Sequence, residues 1–203
     1  MLVQHSLPAQ SKWGFENYHY LDQPANSAIV PVIHFQTPRD LYGELRYNYE
    51  AGQTLTLLGG KTFRGGDMIS YIITPMAGFS AGMFTGFTFA VNTDAAWKNL
   101  YFSSQTQQSV ATGENSSGFF FSWSELGIEI GDHFFTGAAV QYTRQEGITA
   151  IDPGIVAGLT FKRFSFPCYV FSPFRGDTHV VLGINYEWSF KRVSKGKHVA
   201  MSR

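Results

Sequence analysis

The segment Thr178 to Phe190 (THVVLGINYEWSF) sorts its side chains by strict alternation into two unlike sets. Val180, Leu182, Ile184, Tyr186, Trp188 and Phe190 fall on one face, and His179, Val181, Gly183, Asn185, Glu187 and Ser189 on the other. A period of two sustained over this length defines a β-strand. One apolar face ending in three aromatics, backed by a polar face, is what a strand needs when it separates lipid from a polar lumen.

Composition supports the same reading. Aromatics make up 16% and charged residues only 15%, with 21 Gly and 19 Phe, a balance that suits a lipid-exposed β architecture. The chain has 203 residues and 22.7 kDa, enough for one domain, and nothing in it resembles an interdomain linker. No run reaches the roughly 18 apolar residues of a spanning helix, so any crossing falls to strands. In lipid the backbone groups of those strands must all be satisfied, which demands a closed barrel. A net charge of zero and a pI near 7.0 argue against a nucleic-acid partner.

Alternation and turn signals predict strands at 13–21, 28–37, 41–50, 53–63, 68–79, 81–92, 97–107, 117–130, 133–144, 154–163, 165–174 and 178–190. The expected fold is therefore all-β, an antiparallel up-and-down transmembrane barrel of about twelve strands, with ten as the smaller count. Turn residues separate the strands, among them Thr93-Asp94-Ala95, Gly131-Asp132 and Asp152-Pro153-Gly154. Three regions result: a flexible N-terminal segment at 1–12, a single barrel at 13–190, and a basic, disordered tail at 191–203. Residues 13–21 read either as wall or as a plug. Met1-Leu2-Val3 is followed at once by Gln4, His5 and Ser6 with no apolar stretch, so a complete signal peptide is not expected here, and an exported chain is expected to have lost its leader.

Alternation alone does not say which face looks outward. In Leu41 to Glu50 (LYGELRYNYE), Glu44, Arg46, Asn48 and Glu50 share one face while Leu45, Tyr47 and Tyr49 share the other. A soluble barrel would have to enclose Tyr47, Tyr49, Tyr186, Trp188 and Phe190 together. Aromatics also gather toward strand ends, as in interfacial girdles, which favours the apolar face outward.

Gly183-Ile184-Asn185-Tyr186-Glu187-Trp188, with Phe190 beyond it, resembles the terminal-strand assembly signal of bacterial outer-membrane β-barrels. In that signal a glycine precedes lipid-facing aromatics at fixed spacing. LRYNYE, FSWSELG and PVIHFQT also resemble poorly characterised outer-membrane barrels of Bacteroidetes-type bacteria. The resemblance implies residence in the bacterial outer membrane, contact with its lipid, and delivery by the barrel-assembly machinery through Gly183, Tyr186, Trp188 and Phe190. Such barrels usually end near the terminal aromatic, whereas here Lys191-Arg192-Val193-Ser194-Lys195 follows.

The lumen is expected to carry Glu44, Arg46, Asn48, Glu50, Glu125, Glu129, Asn185 and Glu187 as its polar and selectivity residues, with Tyr101, Ser103, Gln105 and Gln141. Intramembrane charges must face protein or water and pair with one another, so Arg46 among these carboxylates reads as an internal ion-pair network. A Glu excess on the wall would favour cations. Short connections leave little chain for a folded-in constriction. Three functions follow in order: a small pore or transport-associated channel passing a small polar solute, a closed structural or partner-binding barrel, and a lipid-modifying enzyme using Ser122 or Ser124 with His34 or His133. The spacing of those Ser and His residues does not support the third. Cys168 stands alone, the histidines are scattered and no phosphate loop is present, so neither metal nor cofactor is expected. The expected state is monomeric.

Overall fold

The computed structural model describes residues 11–21, 28–112 and 117–190. The turn around 22–26, the turn at 113–116 and the terminal tails at 1–10 and 191–203 lie outside the described residues. The chain forms β1 (Ser11–Leu21), β2 (Ala28–Gln36), β3 (Leu41–Tyr47), β4 (Leu55–Lys61), β5 (Phe63–Gly65), β6 (Ser70–Ala81) and β7 (Gly86–Trp97). It continues with β8 (Leu100–Ala111), β9 (Phe119–Ile130), β10 (Phe134–Gln145), β11 (Ile148–Phe161), β12 (Phe164–Phe171) and β13 (His179–Phe190).

β4 and β5 are two pieces of one stave, since both pair with β6. Between them Thr62 leaves the ladder and donates its N–H to Asp40 O at 2.8 Å. Each stave pairs antiparallel with its sequence neighbours, and β1 pairs with β13 from Ser11↔Phe190 to Leu21↔Val180. The result is a closed barrel of twelve staves, which removes the edges that lipid could not satisfy. Ser11 to Leu21 is thus part of the wall and not a plug, and Ser11 and Lys12, read from sequence as part of the flexible segment, open β1.

The outward face is the apolar one. Leu57 is 64% exposed, and Ile29, Ile33, Leu45, Phe79, Phe87, Phe89, Leu126, Ile155, Leu159, Leu182 and Ile184 are likewise exposed, each alternating with inward neighbours. Val181, between Leu182 and Val180, is fully buried. In water this surface would be far larger than the apolar patches a monomer tolerates; in a bilayer it is the required one. Among the described residues no helix is long and apolar enough to cross a membrane, and the spanning elements are strands.

Two predicted turns lie inside strands. Thr93-Asp94-Ala95 belongs to β7, which reverses only at Lys98-Asn99, and Asp152-Pro153-Gly154 belongs to β11, which reverses at Glu146-Gly147. Asp94 is a wall residue that accepts a hydrogen bond from Ser103 Oγ at 2.8 Å. The real turns run through positive φ at Lys98 (56°), Glu146 (51°), Gly147 (80°) and Lys162 (57°). Tight hairpins need that conformation, and lysine supplies it here with no glycine to signal it.

Glycines on the inner wall create room for flat rings. A Cβ on Gly127 would meet the Tyr101 ring at 2.4 Å, and one on Gly158 would meet the Phe135 ring at 2.2 Å. Each aromatic therefore lies down on the neighbouring strand and does not reach across the lumen.

Candidate functional site: the lumen

The start of β1, the end of β13 and the turns at 37–40, 66–69, 98–99, 131–133 and 162–163 share one end of the barrel. At that end the lumen opens into a vestibule of about 790 Å³. Glu16, His34 and Asn185 line it, with Gln36, Thr160 and Ser165 on its walls, and Lys12, Asp40, Arg64, Lys162, Arg163 and Glu187 toward its mouth. His34 Nδ1 stands 3.7 Å from Glu16, and Arg64 is paired with Asp40. Counted over this lining, four Lys or Arg face three carboxylates, so the vestibule does not show the Glu excess read from sequence.

One turn of alternation beyond Glu16 the lumen fills with rings. Tyr18 of β1 lies 5.2 Å from Trp123 of β9, and Trp123 lies 4.8 Å from Tyr169 and 5.5 Å from Phe171. Tyr20 joins them, its hydroxyl accepting from Gln141 Nε2 at 3.3 Å. Phe121 and Tyr49 pack against the same cluster.

Tyr49 links the aromatic group to a charged one. Its ring lies under the Arg46 guanidinium at 4.3 Å, and its hydroxyl donates to Gln105 Oε1 on β8 at 2.9 Å. Arg46 donates Nε to Glu44 and Nη1 to Gln107 Oε1 at 2.5 Å, and stands 3.8 Å from Glu50. Tyr42 donates to Glu44 Oε2 at 2.7 Å, and Thr56 donates to Glu50. Arg46 is 2% exposed and Glu44 4%. A guanidinium this dry persists because opposite charges and hydrogen-bond acceptors surround it.

Because β3, with the 48–54 connection that follows it, does not neighbour β8 in the wall, the Arg46–Gln107 and Tyr49–Gln105 bonds cross the lumen. Together with the Tyr18–Trp123 contact they form a continuous belt of wall side chains. Toward the far mouth the interior stays dry. Thr56, Ser80, Thr88 and Ser109 run across β4, β6, β7 and β8 as a fully buried chain of hydroxyls at 2.8, 3.3 and 3.0 Å. Phe84, carried by the 82–85 connection, is 3% exposed and packs on Phe119 at 5.5 Å. Two short connections, 48–54 and 82–85, thus do fold inward, which the sequence reading did not anticipate.

The predicted lumenal residues divide accordingly. Glu44, Arg46 and Glu50 meet in the belt. Asn48 does not line the wall: at φ 59° it anchors the turn, accepting from Gln53 N at 2.7 Å and donating Nδ2 to Ile29 O at 3.1 Å. That left-handed step breaks the alternation and carries Tyr49 inward, whereas Tyr47 stays outside. Glu125 accepts from Tyr169 at 2.9 Å, and Glu129 is exposed near the turn end. Asn185 and Glu187 line the vestibule. Ser122 and Ser124 face outward and His34 faces inward, so the wall stands between them.

On the terminal strand, Gly183 faces inward, where a Cβ would meet Pro167 Cγ at 2.6 Å. Tyr186 packs on Phe164 at 4.5 Å, and Trp188 stacks on Trp13 at 6.1 Å. The Phe190 backbone closes β13 opposite Ser11. Sequence reasoning missed Tyr18, Trp123, Tyr169, Phe171 and Gln107. Their inward parity was readable from the alternation of β1, β8, β9 and β12, but an aromatic on a lumenal face carries no label distinguishing it from one on the lipid face.

A closed up-and-down barrel with an apolar outer belt defines a porin-like transmembrane β-barrel. Solved porins share this fold. A KdgM porin in complex with disordered oligogalacturonate superposes with a TM-score of 0.63 at 10% identity, covering 85% of this chain and 98% of that one. A second structure of KdgM porin gives 0.61 at 9% identity (88% and 99% covered), and NanC porin gives 0.54 at 9% (89% and 100%). No family model matches the chain, and no curated protein matches it.

Proposed function

We propose that this protein is a bacterial outer-membrane channel for small polar solutes, shut in the present conformation by the side-chain belt. The observation that carries the reading is how the lumen is closed. Among the described residues the obstruction consists of wall side chains and two short connections, so rotamer changes and shifts of residues 48–54 and 82–85 would connect the vestibule to the far mouth. Barrels of this size sit between those filled by side chains and those holding an aqueous channel. The mixed charge of the vestibule suits neutral or zwitterionic solutes better than ions of one sign. Gly183, Tyr186, Trp188 and Phe190 would serve as the recognition strand for the assembly machinery.

The burial of Arg46 and Phe171 supports a second reading, a permanently closed barrel that binds a partner or solute without passing it. Swelling of liposomes in a graded series of small uncharged sugars separates the two. A channel admits sugars up to a size limit, and a closed barrel shown to be inserted admits none.

A further inference from the structure

The outward face of the wall is apolar around most of its circumference, with isolated polar residues such as Asn17 and His19 on β1. Between β8 and β9 it changes character. Ser104 meets Ser124 at 2.8 Å and Thr106 meets Ser122 at 2.9 Å, each pair directly opposite in register and well inside the strands. Exposed Phe102, Leu126 and Val140 share this face, so the four hydroxyls lie within the lipid-facing band. Toward the 146–147 turn the patch runs into a groove of about 650 Å³ lined by Gln108, Phe120, Ser122, Tyr142, Arg144 and Glu146. Among the described residues, neither Arg144 nor Glu146 has an ion-pair partner.

Acyl chains gain nothing from these hydroxyls. Another protein wall does, because small side chains allow close approach and hydroxyls can exchange bonds across an interface, the features that drive association within membranes. Arg144 and Glu146 stand two residues apart at the rim of the patch, one of each sign. A two-fold axis through the patch would place each opposite its counterpart, as a self-complementary interface requires. A lone anionic lipid fits less well, since Arg144 would hold its phosphate while Glu146 repelled it.

We propose that two copies of this chain associate in the membrane through the β8–β9 face, with Arg144 of one copy paired to Glu146 of the other. This departs from the monomer expected from sequence. It rests on the membrane-spanning reading and is independent of whether the lumen conducts.

The test is native mass spectrometry of the full chain released from lipid nanodiscs. The wild type is expected at twice the 22.7 kDa chain mass. Arg144→Glu and Glu146→Arg should each weaken association by roughly tenfold, and the double swap should restore it. Heat-dependent gel mobility establishes that each variant is folded. In a Cys168→Ala background, Ser122→Cys should cross-link to itself with a short bismaleimide while Leu57→Cys, on another sector of the wall, should not. A wild-type monomer, with or without retained anionic lipid, overturns the proposal, as does a double swap that fails to restore the dimer or equal cross-linking at both positions. A chain that stays folded and soluble without detergent would instead remove the membrane reading itself.

Discussion

Tyr18 of β1 and Trp123 of β9 stand 5.2 Å apart across the lumen, although five strand pairings of the wall separate the two strands. Trp123 also touches Tyr20, Tyr169 and Phe171, so one indole bridges three staves. Trp123→Ala is expected to lower stability by about 3–5 kcal/mol, the usual loss for a large buried aromatic, and to widen the lumen at once. Urea unfolding in detergent micelles reads the first effect. Faster sugar uptake by proteoliposomes reads the second.

Arg46 is the electrostatic counterpart. Arg46→Met leaves Glu44 and Glu50 together in a dry interior and is expected to cost about 3–5 kcal/mol. Adding Glu44→Gln and Glu50→Gln should recover most of that loss, because the uncompensated charges are then gone. The same unfolding measurement compares the single and triple variants. Equal stability of wild type and Arg46→Met would mean that the cluster is open to water.

Glu44 and Glu187, alike in sequence, should behave differently. Glu187 lines the vestibule among Lys12, Lys162 and Arg163, so Glu187→Gln should move the reversal potential in a salt gradient toward anions without loss of fold. Glu44 is committed to Arg46 and Tyr42. Glu44→Gln should therefore change stability more than selectivity.

The lipid-facing assignment has its own contrast. Leu182→Arg puts a charge on the exposed apolar band and is expected to destabilise the inserted state by about 2–4 kcal/mol near the bilayer midplane. Val181→Thr, one residue away, exchanges one methyl for a hydroxyl on the lumen side. Folding titrations into short-chain phosphatidylcholine vesicles should show the larger loss for Leu182→Arg.

The strand plan was legible because each strand keeps one face apolar over nine to fourteen residues in most cases, as in β13 and β11. Turn positions were less so. Asp94 and Pro153 look like turn formers yet sit in strands, one bonded into the lumen and one on the outward face, while Lys98 and Lys162 make the actual turns. The belt was half legible: Glu44, Arg46 and Glu50 announced a charge cluster, but their partner Gln107 lies 61 residues further on, brought near only by closure of the barrel. Tyr49 escaped because a single positive φ at Asn48 reverses which way the next side chain points.

On this reading the belt closes an otherwise continuous lumen. Planar-bilayer conductance of wild type beside a Tyr49→Ala/Trp123→Ala double variant tests it most directly. Rare, small steps are expected from the wild type and persistent, larger steps from the folded double variant. A folded, inserted double variant that conducts no better than the wild type would contradict it.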